Sequence, residues 1–430
     1  MKRRLVFGSV IVLLALNLAI GAGIFFLSPH AEDAADSERA NLDLLVNVMQ
    51  KIRTEYADST NLTYHELVYS AIKGMVAQLD PHSEFLTPRD YQRFESDTEG
   101  RFGGLGLVVS MKEGYVTVVA PMDDSPGFRA GILTGDRIVK VNGRNIGRLP
   151  LGDVVDQLRG VPGTDVAVTI QRPETGTEKT IVLKRAIIHM EMVKDIAGGS
   201  DFPLGPDKIG YIRINEFGDK TGRELQEALD KLKAQGMKAL ILDLRWNPGG
   251  LLDEAVSVCQ KFLPRGQLIV TTEGRDPSQD SIRRAAGDGD ELHGEPIVVL
   301  VNLGSASASE IVTGCLHDLH RAVIVGQRTF GKGLVQSLFP LRDGSALKLT
   351  TAKYYTPSHR VIEERGIEPD IVVPVTDQQE GALLLQREPG GLQALSPSER
   401  ARVAKINDIQ LQRARDLLKA ILIYRSLQKN

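Results

Sequence analysis

Three serines at alternate positions, Ser305, Ser307 and Ser309, stand between an apolar run (Ile297 to Val301) and an apolar pattern of helical spacing: Ile311, Val312, Cys315, Leu316, Leu319. A hydroxyl at a strand-to-helix turn lies at a helix N-terminus, where open N–H groups and the helix dipole favour negative charge. That setting suits a nucleophile whose attack creates an oxyanion. The same letters have a plainer reading, because Ser307-x-x-Glu310 is also a capping box. Further on, Lys332 lies between Gly331 and Gly333, with Gln336 four residues later. A lysine acts as a general base only when neutral. An ordinary lysine amine titrates near 10.4, so neutrality at pH 7 costs about 4–5 kcal/mol unless burial lowers its pKa. Flanking glycines permit that close, dehydrated approach. Positions four apart share one face of a strand, so Gln336 can hold the amine. A third element is the Gly249-Gly250 pair, which follows the apolar run Leu240 to Leu244. Its backbone N–H groups can face a substrate, as an oxyanion hole requires, or the glycines can simply shape a turn.

The elements that must carry these residues alternate in the α/β manner from Lys208 onward. Strands are expected at 209–214, 239–244 and 297–301, with helices at 222–234 and 252–262. The polar stretch 273–294 reads as an exposed loop or hairpin. After Asp370 the sheet signals fade, and Ser396-Pro397-Ser398-Glu399 opens a helical tail with a capping box and Pro at the first helical position. Between 102 and 183 the texture is different, with short strands at 107–109, 115–119, 137–141, 166–170 and 180–183 separated by Gly and Pro. Earlier still, Leu45, Val48, Met49, Ile52, Tyr56 and then Leu67, Ile72, Met75, Val76, Leu79 predict two packed helices before residue 90, the second ending at Asp80-Pro81.

Within the middle texture, Gly103-Gly104-Leu105-Gly106-Leu107 leads directly into a strand, and glycine N–H groups form a concavity suited to a carboxylate. With Ser125-Pro126-Gly127-Phe128-Arg129-Ala130-Gly131-Ile132 and Thr134-Gly135-Asp136-Arg137-Ile138-Val139 downstream, the segment resembles a PDZ domain. The resemblance implies a peptide tail added as a strand, its carboxylate held by Gly104, Leu105, Gly106 and Leu107. The serine, lysine and glycine blocks together resemble the carboxyl-terminal processing, or tail-specific, proteases of the S41 peptidase family. They come in that family's order, with Ala346 to Pro357 and Gly366-Ile367-Glu368-Pro369-Asp370 as further matching blocks. The resemblance implies Ser307 as nucleophile, Lys332 as general base and Gln336 as the residue orienting it. It implies oxyanion donors at the N–H of Ala308 and in the Gly249–Gly250 turn, with Trp246 narrowing the site. The implied fold is a crotonase-like α/β protease core plus a PDZ domain, a small β-rich barrel, with N- and C-terminal helices packed on it. The expected divisions are 1–28 signal or anchor, 29–40 tether, 41–98 helical segment, 99–187 PDZ domain, 188–376 protease core and 377–430 helical tail.

Lys2, Arg3 and Arg4 precede an uncharged run over residues 5–27, long enough as a helix to cross a bilayer and expected to send the rest outside. The expectation is an exported, periplasmic or extracytoplasmic protein anchored by its N-terminal helix. Lys plus Arg total 52 against 55 for Asp plus Glu, so no basic surface exists for nucleic acid. At 42% apolar and 25% charged, the chain is neither disordered nor a multi-span membrane protein. His82, His317 and His320 have no motif around them, and no spacing suggests a metal site or a cofactor. Cys259 and Cys315 lie on expected helices and read as buried free thiols. The expected partners are protein or peptide substrates taken by their tails, with a homo-oligomer or an activating partner left open.

Overall fold

The computed structural model describes residues 37–428 apart from 59–61, 123, 174, 278–279, 288, 388–391 and 393–394. The expected membrane segment and most of the tether lie outside the described residues. Among those described, no helix is long and apolar enough to cross a membrane. The chain divides into two units, at residue 81.

The first unit holds α1 (Glu38–Glu55) and α2 (Tyr64–Ala77), capped by Ser37 and Thr63, whose side chains accept the N–H groups of Ala40 and Glu66. The expected packing between them is not found. No residue of α1 is buried and Val76 alone is buried in α2. The two meet through Arg53, which donates to the Leu62 carbonyl and covers the Tyr64 ring. Their apolar spacing made helices without giving them a seam.

The second unit opens with β1 (Glu84–Leu86), α3 (Pro88–Thr98) and β2 (Arg101–Gly104). A six-stranded antiparallel sheet follows, built from β3 (Leu107–Lys112), β4 (Tyr115–Pro121), β5 (Arg137–Val141), β6 (Arg144–Asn145), β7 (Asp165–Arg172) and β8 (Thr177–Lys184) in the order β3-β4-β5-β7-β8, with β6 beside β5. Two short helices, α4 (Pro126–Arg129) and α5 (Leu151–Leu158), accompany it. Its core is its own: Val116, Val118, Ile138, Val141, Val154, Val168 and Ile170 are buried together. Strand β3 is an edge, directly after the Gly104–Leu107 loop. Strand β9 (Ala186–His189) then returns to pair with β2.

The α/β core holds β10 (Val193–Lys194), β11 (Ile209–Ile214), α6 (Thr221–Ala234), β12 (Ala239–Asp243), α7 (Leu252–Gln260), β13 (Leu268–Gly274), β14 (Ser281–Arg284), β15 (Ile297–Val301), α8 (Ala308–Asp318), β16 (Val323–Gly326), β17 (Leu334–Pro340), β18 (Ala346–Tyr355) and β19 (Ile371–Val372). The main sheet runs β10-β11-β12-β15-β16-β19, parallel from β11 onward. Strands β12 and β15 are buried at every position, as central parallel strands covered on both faces should be. One face packs under α6, α7 and α8 through Leu225, Leu229, Val258, Val312 and Leu316. The other is covered by Ala414 and Leu418, from the last of three C-terminal helices, α9 (Asp377–Arg387), α10 (Pro397–Val403) and α11 (Ile409–Gln428). A second sheet joins β1, β18, β13 and β14, with β17 on the other side of β18. The stretch 273–294 includes the end of β13 and the whole of β14, which pair as a hairpin.

Candidate active site

Two turns at the C-terminal ends of neighbouring parallel strands build the site. That end of an open α/β sheet is where ligand crevices form. After β12 the chain makes the turn Arg245 to Gly250, and after β15 the turn Asn302 to Ser307. They are stitched to each other. Ser305 Oγ donates to the Leu244 carbonyl (2.8 Å) and accepts the Asn302 N–H. Ser309 Oγ donates to the Asn247 carbonyl (2.9 Å), which also accepts the Ala306 N–H. Ser305 and Ser309 are fully buried, so two of the three serine hydroxyls are structural.

Ser307 differs from both. It is partly exposed and holds φ +52°, ψ −114°, a left-handed conformation rare for a serine. Capping residues in this chain, such as Thr63 and Ser396, hold φ near −60 to −80° with extended ψ. The Glu310 carboxylate does accept the Ser307 N–H (2.9 Å), yet Glu310 is more than a cap partner. It also accepts the Thr329 hydroxyl (2.6 Å), the Gly331 N–H (2.7 Å) and the Lys332 N–H (2.8 Å). One buried carboxylate therefore ties the serine turn to the lysine loop. Burial pushes the Glu310 carboxyl up, and its four donors pull against that shift. Tyr354, from β18, is a second strut: its hydroxyl reaches the carbonyls of Ser307 (3.0 Å) and Lys332. Burial, then Glu310 and Glu363, pushes the Tyr354 phenol well above its ordinary range.

A cavity of about 240 Å³ is lined by Ser307, Ala308, Gly250, Lys332 and Gln336, with Leu252, Ile311, Val335 and Tyr354 among its apolar walls. Lys332 precedes β17 rather than lying in it, and the register slips between Val335 and Gln336, so the simple even-spacing argument for their common face does not describe the backbone. Both nevertheless reach the same cavity. The Gln336 amide nitrogen is buried and has no hydrogen-bond partner among the described residues.

Of the three expected backbone donors, Gly249 is removed by its own turn, because its N–H donates to Asn247 Oδ1 (2.9 Å). The N–H groups of Gly250 and Ala308 find no acceptor among the described residues. Gly250 is held by Phe217, which donates to the Gly249 carbonyl and accepts the Leu251 N–H (both 2.8 Å). At φ +139° a Cβ there would stand 2.3 Å from the Phe217 carbonyl oxygen, so no larger residue fits. Trp246, expected to narrow the site, turns away from it. Its indole N–H donates to Glu380 of α9 and its ring lies under Arg387.

The peptide-tail candidates sit where β2 gives way to β3. Gly104 ends β2 beside Ala186, Leu105 is buried in the small β core, Gly106 takes φ +65° and Leu107 opens the edge strand. Among the described residues no cluster could hold a metal ion, and no histidine lines the cavity. Cys259 and Cys315 are free and buried. Glu310 and Tyr354 were not singled out from the sequence. Glu310 stood inside the capping pattern and Tyr354 inside the Ala346–Pro357 block, but only the fold shows that both bind the lysine loop.

Family models match the chain in two places: Peptidase family S41 over residues 208–373 and PDZ domain over residues 117–172. The carboxy-terminal-processing protease of Bartonella bacilliformis is 43% identical over 343 residues, 78% of this chain and 76% of that protein. A probable CtpA-like serine protease of Staphylococcus aureus is 37% identical over 374 residues, 86% of this chain and 72% of that one. Among solved structures, the photosystem II D1 C-terminal processing protease superposes with a TM-score of 0.44 at 30% identity, covering 81% of this chain and 97% of that one. The S41 match and the Bartonella and Staphylococcus relatives define a serine protease. The chain belongs to peptidase family S41, as a C-terminal-processing serine protease.

Proposed function

We propose that this protein is an exported endopeptidase with a Ser307–Lys332 catalytic pair, cleaving proteins that its PDZ domain takes by their C-terminal tails. The observation that carries this reading is the convergence of Ser307, Lys332, Gln336 and the open N–H groups of Gly250 and Ala308 on one cavity, while Ser305 and Ser309 are engaged elsewhere. Neutral Lys332 takes the Ser307 proton as Oγ attacks a peptide carbonyl. The Ala308 and Gly250 N–H groups hold the resulting oxyanion, two donors fixed in place before reaction. Lys332 then gives its proton to the departing amine, and water repeats the sequence on the acyl-enzyme. Gln336 orients the amine, and Glu310 and Tyr354 are positioning residues that fix the two backbones.

Tail capture is supported by the open β3 edge after the glycine loop, which suits strand addition. The division into a PDZ domain at 99–187 and a crotonase-like protease core at 188–376 is supported by the two family matches lying inside those limits. Export with anchoring through residues 5–27 is supported by the basic start and uncharged run of the sequence. The test is proteolysis of one unfolded protein, with and without its last residues, followed by mass spectrometry. Ser307→Ala and Lys332→Ala should each abolish cleavage while circular dichroism stays native, and removing the tail should slow the wild type. Full activity of either variant would overturn the pair, and indifference to the tail would overturn capture.

A further inference from the structure

Beyond the proposed catalytic groups, the cavity is lined by two charged residues, Glu216 and Lys348. Glu216 immediately precedes Phe217, whose backbone grips the Gly249–Leu251 turn. Lys348 belongs to β18, in the row Glu84–Lys348–Leu338 across three adjacent strands. The next row on the same face is Thr350–Gln336, so Lys348 lies one two-residue step, about 7 Å, beyond the Gln336 row. Helix α3 spans the same interval: Phe94 faces Lys348, while Thr98, one turn or about 6 Å along, lines the cavity too and its carbonyl accepts the Asp219 N–H.

Lys348 is placed rather than loose. Its ammonium lies 5.9 Å from the Phe94 ring centroid. Its ion-pair partner is Glu84 at 3.2 Å, which is 58% exposed and is not part of the cavity wall. Such a half-exposed pair is worth at most about 1 kcal/mol and can be exchanged for another carboxylate. The ammonium has three donors to offer, and a peptide lying along β17 passes them after passing Gln336.

We propose that Lys348, seated on Phe94, is a specificity residue that pairs with a carboxylate of the bound chain a few residues from the scissile bond. This assignment rests on the Ser307–Lys332 reading. The carboxylate is either an acidic side chain or the substrate's own C-terminus.

The test uses the full chain and a peptide series in which Glu, and separately Lys, replaces Ala at each position around one cleaved bond, every peptide made as free acid and as C-terminal amide. The reading is the ratio of kcat/KM for the Glu peptide over its Ala parent, within each enzyme. Wild type should favour Glu at one position by about tenfold, the scale of one well-placed charge-assisted contact. Lys348→Met should bring that ratio to about one, Lys348→Glu should invert it in favour of Lys at the same position, and Lys348→Arg should keep it. A preference that survives amidation identifies a side chain; a preference for free acid over amide that Lys348→Met abolishes identifies the terminus. Either supports the proposal. Active wild type with ratios of one throughout and no acid-over-amide preference, or a preference unchanged in Lys348→Met, overturns it while leaving the catalytic pair intact. A wild type that cleaves neither peptides nor unfolded protein removes the pair and this assignment together.

Discussion

At the scale of single residues, the three serines separate by what their hydroxyls already hold. Ser305 and Ser309 spend theirs on backbone carbonyls inside the protein, and only Ser307 faces the cavity. Opposite outcomes should follow on alanine substitution. Ser307→Ala should abolish turnover with Tm unchanged. Ser305→Ala leaves the Asn302 N–H without its acceptor and should cost about 1–3 kcal/mol in urea unfolding, the price of an unsatisfied buried group. Loss of stability in Ser307→Ala with none in Ser305→Ala would reverse these roles. Glu310 is a sharper case, because all four of its partners are donors. Glu310→Gln preserves the shape but turns an NH2 toward two of them. The lysine loop should then shift, and kcat should fall about a hundredfold, as small misplacements of catalytic groups do. A kcat within twofold of wild type would show that the carboxylate does not set the geometry.

At the scale of elements, the turns were readable because glycine and serine are used where few alternatives fit. The Gly249–Gly250 turn stood out for its residue types, but which N–H stays open was not written there: Asn247 takes the Gly249 N–H through a contact that exists only once the turn has folded. Gly250→Ala should inactivate the enzyme, since the new methyl meets the Phe217 carbonyl at 2.3 Å and must push the donor away. Residual activity above about a tenth of wild type, measured on a peptide, would mean that Gly250 is not an oxyanion donor; loss of one such donor costs about 10²–10³ in kcat. The parallel strands were equally legible, because fully buried strands read as unbroken apolar runs such as Ile297 to Val301. Helix α3 was not, because Pro88 to Thr98 is polar over most of its length and none of its residues is fully buried. Strand β18 was visible as a motif but not as a partner of β1, β13 and β17, since pairing across such separations leaves no local trace.

At the scale of the whole molecule, the C-terminal helices prove to be part of what holds the turn carrying Gly250. Arg245, fully buried, donates to Asp243 at the end of β12 and, through both terminal nitrogens, to Asp408 at the start of α11. Asp408 also accepts from Arg387 of α9 and from the Leu411 N–H. The turn that carries Gly250 is thus anchored to helices more than a hundred residues away in sequence. Burial by itself would push the Asp243 and Asp408 carboxyls up, but Arg245 and Arg387 outweigh it and hold both below the usual carboxylate range. Groups depressed in the folded state contribute stability that is complete above their unfolded pKa, near 4, and is lost as pH falls through the folded value. Tm should therefore be flat from about pH 7 to 5 and fall steeply below about pH 4. Asp408→Asn should lower stability at pH 7 by about 3 kcal/mol, because it strips one partner from a buried charge, and should make the acid limb shallower. Peptide cleavage should drop in the same variant below its melting temperature, since Arg245 would no longer fix the turn. If the acid limb and the activity both matched wild type, the C-terminal helices would be a cover for the sheet and nothing more.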